Sequence, residues 1–171
     1  VKNAPYDTYG DQAQFQIAEL YKSQGEYEES QKAYQALVDD YPNSELVAKA
    51  RYQIAYSSML ASKKSQYDEK RAERAIEEFE GFKNNFPANE QAVEAEESIK
   101  ALREKKASVN FDIASFYDKQ QKYESAKVYY QEVVKNYPET ALAARAKVRA
   151  EEIIKNEGQP AQPKHKKFIL W

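Results

Sequence analysis

Cysteine is absent from this 171-residue chain and histidine occurs once. Without thiols or a second imidazole, the usual zinc sites and nucleophile–base pairs cannot be assembled. The lack of cysteine leaves the redox compartment open. The one histidine, His165, stands in "PKHKKF" near the C-terminal end and reads as a solvated tail residue. Four glycines (Gly10, Gly25, Gly81 and Gly158) are too scattered for a phosphate-cradling loop. No apolar run reaches the ~18 residues of a membrane-crossing helix. A formal net charge of −2 offers no basic footprint for nucleic acid. Carboxylate runs such as "EEFE" and "EAEE" read as solvated helix faces, so the residues form no catalytic constellation and call for no metal or cofactor. Val1 is not a start methionine, as expected of a processed or trimmed chain whose targeting segment is not in view.

What is present is repetition. Three of the six prolines follow an aromatic residue: Tyr41-Pro42, Phe86-Pro87 and Tyr137-Pro138. Proline stops an incoming helix. Two positions later Ser44, Asn89 and Thr140 can each cap an outgoing helix by accepting from its orphan N–H groups. Aligning on the first and third joints lays "FQIAELYKSQGEYEESQKAYQALVDDYP" over "FDIASFYDKQQKYESAKVYYQEVVKNYP", 96 positions on. Phe15, Ile17, Ala18, Tyr21, Tyr34, Val38 and Tyr41 thereby meet Phe111, Ile113, Ala114, Tyr117, Tyr130, Val134 and Tyr137, at the spacing of a helix's inner face. The middle copy is looser. It supplies Tyr52, Ile54 and Ala55, then Ala75, Phe79, Phe82 and Phe86, with about eight extra residues around "SKKSQYDEKR". Ala18, Ala55 and Ala114 are the small positions where paired helices approach closely.

The unit is a helix hairpin that resembles the tetratricopeptide repeat, a pair of helices of about 34 residues. The expected fold is all-α, a tetratricopeptide-repeat helical-hairpin solenoid. Its 42% hydrophobic and 32% charged residues and 14 tyrosines suit such an array with solvated faces. Residues 1–10 form an N-terminal segment. Residues 11–156 hold three hairpins and a closing helix from Thr140 to about Asn156. Residues 157–171 form a tail.

Two features depart from a plain array. Pro42 to Pro87 is 45 residues and Pro87 to Pro138 is 51, against about 34 for the generic repeat. Asn89 to Gln121 holds no glycine or proline, and keeps apolar residues at Ala92, Ala95, Ile99, Leu102, Val109, Ile113 and Phe116. This predicts one long inter-repeat helix of ~33 residues.

Together these features resemble the BamD family, the periplasmic lipoprotein subunit of the outer-membrane β-barrel assembly machinery. The matching residues are Arg71 or Arg74 with Ala75, Phe79, Phe82 and Pro87; then Leu102, Arg103, Ala107, Ile113, Ala114, Phe116 and Tyr117; then Tyr123, Ala126, Val133, Tyr137, Pro138 and Thr140. The resemblance implies a non-catalytic scaffold on the periplasmic face of the outer membrane. Its implied partners are the barrel-forming subunit, other assembly lipoproteins and nascent outer-membrane proteins. It also implies membrane attachment only through an N-terminal lipid anchor that this chain does not include. Family members usually carry about five repeats, so the N-terminal ones are expected to be either missing from this chain or replaced by "VKNAPYDTYGDQ". The spacings of 45 and 51 count against the evenly spaced repeat adaptor of the Tol-Pal system. The basic inner-face residues of carboxylate-clamp adaptors are not matched by Gln12, Phe15, Glu19 and Lys22, nor by Ser108, Phe111, Ser115 and Asp118.

Two candidate surfaces follow. By the resemblance, the exposed end of the last hairpin, with Gln120, Lys122, Lys127 and Tyr129, borders the contact with the barrel-forming subunit. From the residues themselves, one first-helix position is aromatic in all three copies (Phe15, Tyr52 and Phe111), with Tyr56 and Met59 following in the middle one. These side chains either fill seams between helices or form a stripe on which an extended peptide lies. In the tail, the apolar run Phe168 to Trp171 is expected to dock on an apolar groove rather than stay in water.

Overall fold

A computed structural model describes residues 9–63 and 69–157. The segments 1–8 and 158–171, and with them the apolar run at Phe168 to Trp171, lie outside the described residues. Seven α-helices and no strand occur among the described residues: α1 (Gly10–Ser23), α2 (Tyr27–Asp40), α3 (Val47–Lys63), α4 (Glu69–Asn85), α5 (Gln91–Lys119), α6 (Tyr123–Asn136) and α7 (Ala141–Glu157). The protein is an all-α helical-repeat array.

The three proline joints fold by local chemistry. Ser44 Oγ accepts the Leu46 N–H at 3.1 Å, Asn89 Oδ1 the Gln91 N–H at 2.9 Å, and Thr140 Oγ1 the Ala143 N–H at 3.3 Å. Each cap engages an N–H in the first turn of the new helix, the Ala143 N–H being shared with the Thr140 carbonyl at 3.2 Å. Ser44 also donates to Asp11, which ties the start of α1 to the first joint.

The turn inside the first hairpin recurs in the third. Glu26 N–H reaches Tyr21 O (2.9 Å) and Gly25 N–H reaches Lys22 O (3.0 Å); Lys122 N–H reaches Tyr117 O (3.0 Å) and Gln121 N–H reaches Asp118 O (2.9 Å). This is the Schellman pattern, which needs a left-handed residue. Gly25 supplies it at φ 75°, and Gln121 is forced to φ 61°.

The middle hairpin spends its insertion on helix length. α3 and α4 have 17 residues each where α1 and α2 have 14. Relative to the first hairpin, the additions fall at the end of α3 and the start of α4, on both sides of 64–68. The predicted long helix is a single 29-residue element, α5, about 43 Å at 1.5 Å per residue. It is two residues shorter at each end than the glycine- and proline-free stretch, because the Asn89 cap and the Schellman turn end it.

Two compact units divide the chain, one through Leu102 and the other from Arg103, so α5 contributes to both. In the first, Phe15, Tyr34, Leu37 and Ile54 centre one cluster, and Tyr52, Phe79, Phe82, Ile99 and Leu102 another. In the second, Ala114, Tyr130, Val133, Ala146 and Ile153 form the core. The small positions Ala18, Ala55 and Ala114 are all fully buried. Helix α7 repeats the register of α3 but carries Glu151 and Lys155 where α3 has Ala55 and Met59, so that face is built for solvent.

Candidate binding surfaces

The first-helix aromatics are closed over by the helix that follows their hairpin. Phe15 meets Tyr34 edge-on at 5.3 Å and is covered by Lys49, whose Nζ stands 5.0 Å from the ring centroid. Phe111 meets Tyr130 edge-on, also at 5.3 Å, under the Arg145 guanidinium at 4.8 Å. At the same position the middle copy has a tyrosine, and the covering residue is a carboxylate: Tyr52 OH donates to Glu94 Oε2 at 3.1 Å. A cation suits a phenyl face and a carboxylate suits a hydroxyl, so the lid changes sign with the residue beneath it. Burial, with Glu94 beside it, pushes the Tyr52 phenol up to about 12.

Phe15, Tyr52 and Met59 are therefore buried seam residues, and Tyr56 and Phe111 are half-buried against the same cores. Tyr56 stacks on Tyr52 at 6.2 Å and 17°. Phe15 backs a pocket of about 530 Å³ made polar by Asp11, Asn43, Ser44, Glu45 and Lys49.

Around the second-helix tyrosine lies a clasp whose chemistry the alignment alone did not bring out. In the first hairpin Tyr34 OH donates to Glu19, Lys22 Nζ donates to Glu19 (2.7 Å), and Lys22 reaches Gln53 Oε1 on α3 (2.8 Å). Burial works to raise the Glu19 carboxyl, but Lys22 and Tyr34 outweigh it and hold the pKa below the ordinary value. Burial and the Glu19 charge together raise the Tyr34 phenol.

In the third hairpin the charges are rearranged. Asp118 stands where Lys22 does, and Arg149 where Gln53 does. Arg149 Nε and Nη2 donate to Asp118 Oδ2 and Oδ1 at 2.7 and 2.8 Å, and Tyr130 OH donates to Oδ2 at 3.3 Å. The Arg149 fork holds the Asp118 carboxyl below its usual range. At the equivalent positions the middle hairpin carries Phe79, Tyr56 and Met59, so no charged group stands there. Each clasp locks a first helix to its second helix and to the helix that follows the hairpin.

The docking candidates gather at the α5–α6 turn. Gln120 and Lys122 are exposed, and Lys122 Nζ lies 5.9 Å from the Tyr117 ring. Tyr129 stacks on Tyr117 at 5.6 Å and 13°, and Phe116 meets Tyr117 edge-on at 5.6 Å with more than half its surface in solvent. Lys127 turns along α6 to Glu124 at 2.8 Å. These residues make an aromatic patch edged by lysines, with Phe116 its most exposed ring.

A third surface was not anticipated from the sequence. Between α2 and α4, above α3, runs a groove of about 730 Å³ with Ile54 and Phe82 beneath it. The signals that could have found it are Gln31 and Gln35 on one helical stripe and a glycine in the middle of α4.

Among the described residues no cluster of histidine, cysteine and carboxylate groups is arranged to hold a metal ion. Likewise, no helix is long and apolar enough to cross a membrane. Compared with known proteins, residues 3–168 match the family model of YfiO, described as outer membrane lipoprotein. The chain belongs to the YfiO family. This is the family of BamD, and the match spans all three hairpins, the long helix and the closing helix. No curated protein matches the chain significantly.

Proposed function

We propose that this YfiO-family protein is a non-catalytic scaffold of outer-membrane β-barrel assembly that docks the barrel-forming subunit through the end of its third hairpin. The family match over residues 3–168 carries this reading. The α5–α6 turn supports its placement: Phe116, Tyr117 and Tyr129 form an aromatic patch, and aromatic residues are the side chains that most often anchor protein interfaces. The neighbouring Lys122 contributes steering toward an acidic partner surface. On this reading the protein acts at the periplasmic face of the outer membrane, held there by an N-terminal lipid anchor on the precursor.

Capture from detergent-solubilised envelopes tests it. The wild-type chain is expected to retain the barrel-forming subunit. Recovery of other envelope proteins without that subunit would refute the assignment. The Lys122→Glu, Lys127→Glu double variant should associate more slowly at low salt and approach the wild type as salt rises, because the exposed Lys122 charge is screened within about 10 Å at 0.1 M. Unchanged association at low salt would exclude this face.

A further inference from the structure

Among the described helices, α1 is the one whose exposed positions carry no charge: they are Gln12, Ala13, Gln16, Ile17, Leu20 and Ser23. Every other described helix shows charged side chains to solvent. The three charged residues of α1 are turned into the chain, Asp11 toward Ser44, and Glu19 with Lys22 toward Tyr34. Ile17 is 46% exposed and Leu20 57%. In a chain of which 32% is charged, a helix face of this kind has the composition of an interface centre, where charged residues are depleted. Helix α1 belongs to the first compact unit and shares no residue with the proposed docking face at the α5–α6 turn.

The repeat itself shows what kind of element fits there. The alignment that lays Phe15 on Tyr52 lays Ala13, Ile17 and Leu20 on Ala50, Ile54 and Ser57 of α3. Those three are buried, Ala50 and Ser57 completely, because α2 lies across them. Ala50 and Ile54 share one cluster with Leu37 and Val38, and Ser57 Oγ stands 3.3 Å from Ser30 Oγ. Residues at i, i+4 and i+7 share a helix face, so the same stripe that seats a helix on α3 is open on α1.

Charge and symmetry decide which helix takes the seat. A charged side chain laid against Ile17 and Leu20 would lose its water without gaining a partner. Helix α7, with Glu151 and Lys155 on its open face, is unsuited to this stripe, whereas α1 meets the requirement itself. Laid antiparallel on a second α1, about an axis between Gln16 and Ile17, Leu20 falls over Ala13 of the copy and Tyr9 over Gln24, so each large side chain meets a smaller one. We infer that this face of α1 joins two copies of the chain in a two-fold, antiparallel helix pair. Its 14 residues make a strip about 21 Å long and about 10 Å across. That is well short of the roughly 800 Å² per partner of a standard stable complex, so the pair is weak and reversible.

Sedimentation velocity of the whole chain between about 10 μM and about 1 mM tests this, a range suited to a small interface. The sedimentation coefficient should rise with concentration toward the dimer value. Leu20→Glu, whose side chain is already largely in solvent, should keep the wild-type circular dichroism and stay monomeric over the same range. Val148→Glu, at an equally exposed apolar residue of α7 (58%), should dimerise as the wild type does. Because the chain has no cysteine, Ile17→Cys gives a second readout: beside the axis it meets its own copy. Under mild oxidation it should form an interchain disulfide about tenfold faster than Val148→Cys, which collides only at random. A wild type that stays monomeric throughout, a Leu20→Glu variant that dimerises, or equal oxidation rates of the two cysteine variants would each overturn the proposal. So would an Ile17→Cys variant that crosslinks in cell extract to a different protein instead of itself, which would give the seat to another chain's helix.

Discussion

The two Schellman turns offer a reciprocal experiment. Gly25 and Gln121 occupy the same position of the same hydrogen-bonded turn, at φ 75° and 61°, and only the residue type differs. A non-glycine residue in the left-handed region costs roughly 1–2 kcal/mol, because its Cβ crowds the following carbonyl. Glycine returns part of that, about 0.5–1 kcal/mol, through the extra freedom it gives the unfolded chain. Gln121→Gly should therefore stabilise by about 0.5–1 kcal/mol. The Gln121 side chain is exposed and bonds to no described residue, so nothing else is lost. Gly25→Gln should destabilise by a similar amount. For a protein of this size, a gain of about 1 kcal/mol corresponds to roughly 2–4 °C. Urea unfolding followed by circular dichroism gives the sign, and amide exchange locates it. The Gln121 variant should slow exchange in the unit from Arg103 onward, and the Gly25 variant should speed exchange in the unit through Leu102. A Gln121→Gly variant that is less stable than wild type, or a neutral Gly25→Gln, would refute the assignment of strain to this turn.

Three further expectations follow from the cores and clasps. Tyr52→Ala should cost ~3–5 kcal/mol, whereas Tyr52→Phe, which loses only the bond to Glu94, should cost about 1 kcal/mol; a near-neutral Tyr52→Ala in urea unfolding would return this ring to the surface. Asp118→Asn removes the anionic half of the Arg149 fork and should cost about 1–3 kcal/mol near neutral pH. Because the folded Asp118 pKa lies below the unfolded value of about 3.9, its contribution is complete above that pH and is lost as pH falls through the folded value. The gap between wild type and variant should close in acid, and a gap that persists there would contradict the ion-pair account. Val109→Pro removes an α5 hydrogen bond and crowds the carbonyl four residues earlier, at a cost of ~3 kcal/mol or more; unchanged amide protection around position 109 would show that the helix does not depend on continuity there.

What could be read without coordinates is what short-range chemistry controls. An aromatic-proline joint stops one helix, and a side-chain oxygen two residues later caps the next, so Ser44, Asn89 and Thr140 act within three residues of themselves. Alignment on those joints yields the hairpins, and a stretch free of glycine and proline yields the long helix. The division of α5 between two compact units left no mark, because Leu102 and Arg103 sit in an unbroken helical pattern. The strain at Gln121 was visible only as a residue opposite Gly25, since φ depends on the bonds that close the turn.

The candidate surfaces show the boundary most clearly. Helical periodicity states which face of a helix is apolar but not what lies against it, so Phe15, Tyr52 and Phe111 remained equally compatible with seam and groove. Lys49, Glu94 and Arg145, each 34 or 42 positions downstream, closed over them once the next helix had packed. In the same way Asp118 and Arg149 are 31 residues apart, and an alignment that pairs them with Lys22 and Gln53 shows a change of charge without showing that they touch. Periodicity along one helix determined the faces of this protein; the packing of the next helix determined which of those faces meet a partner and which meet water.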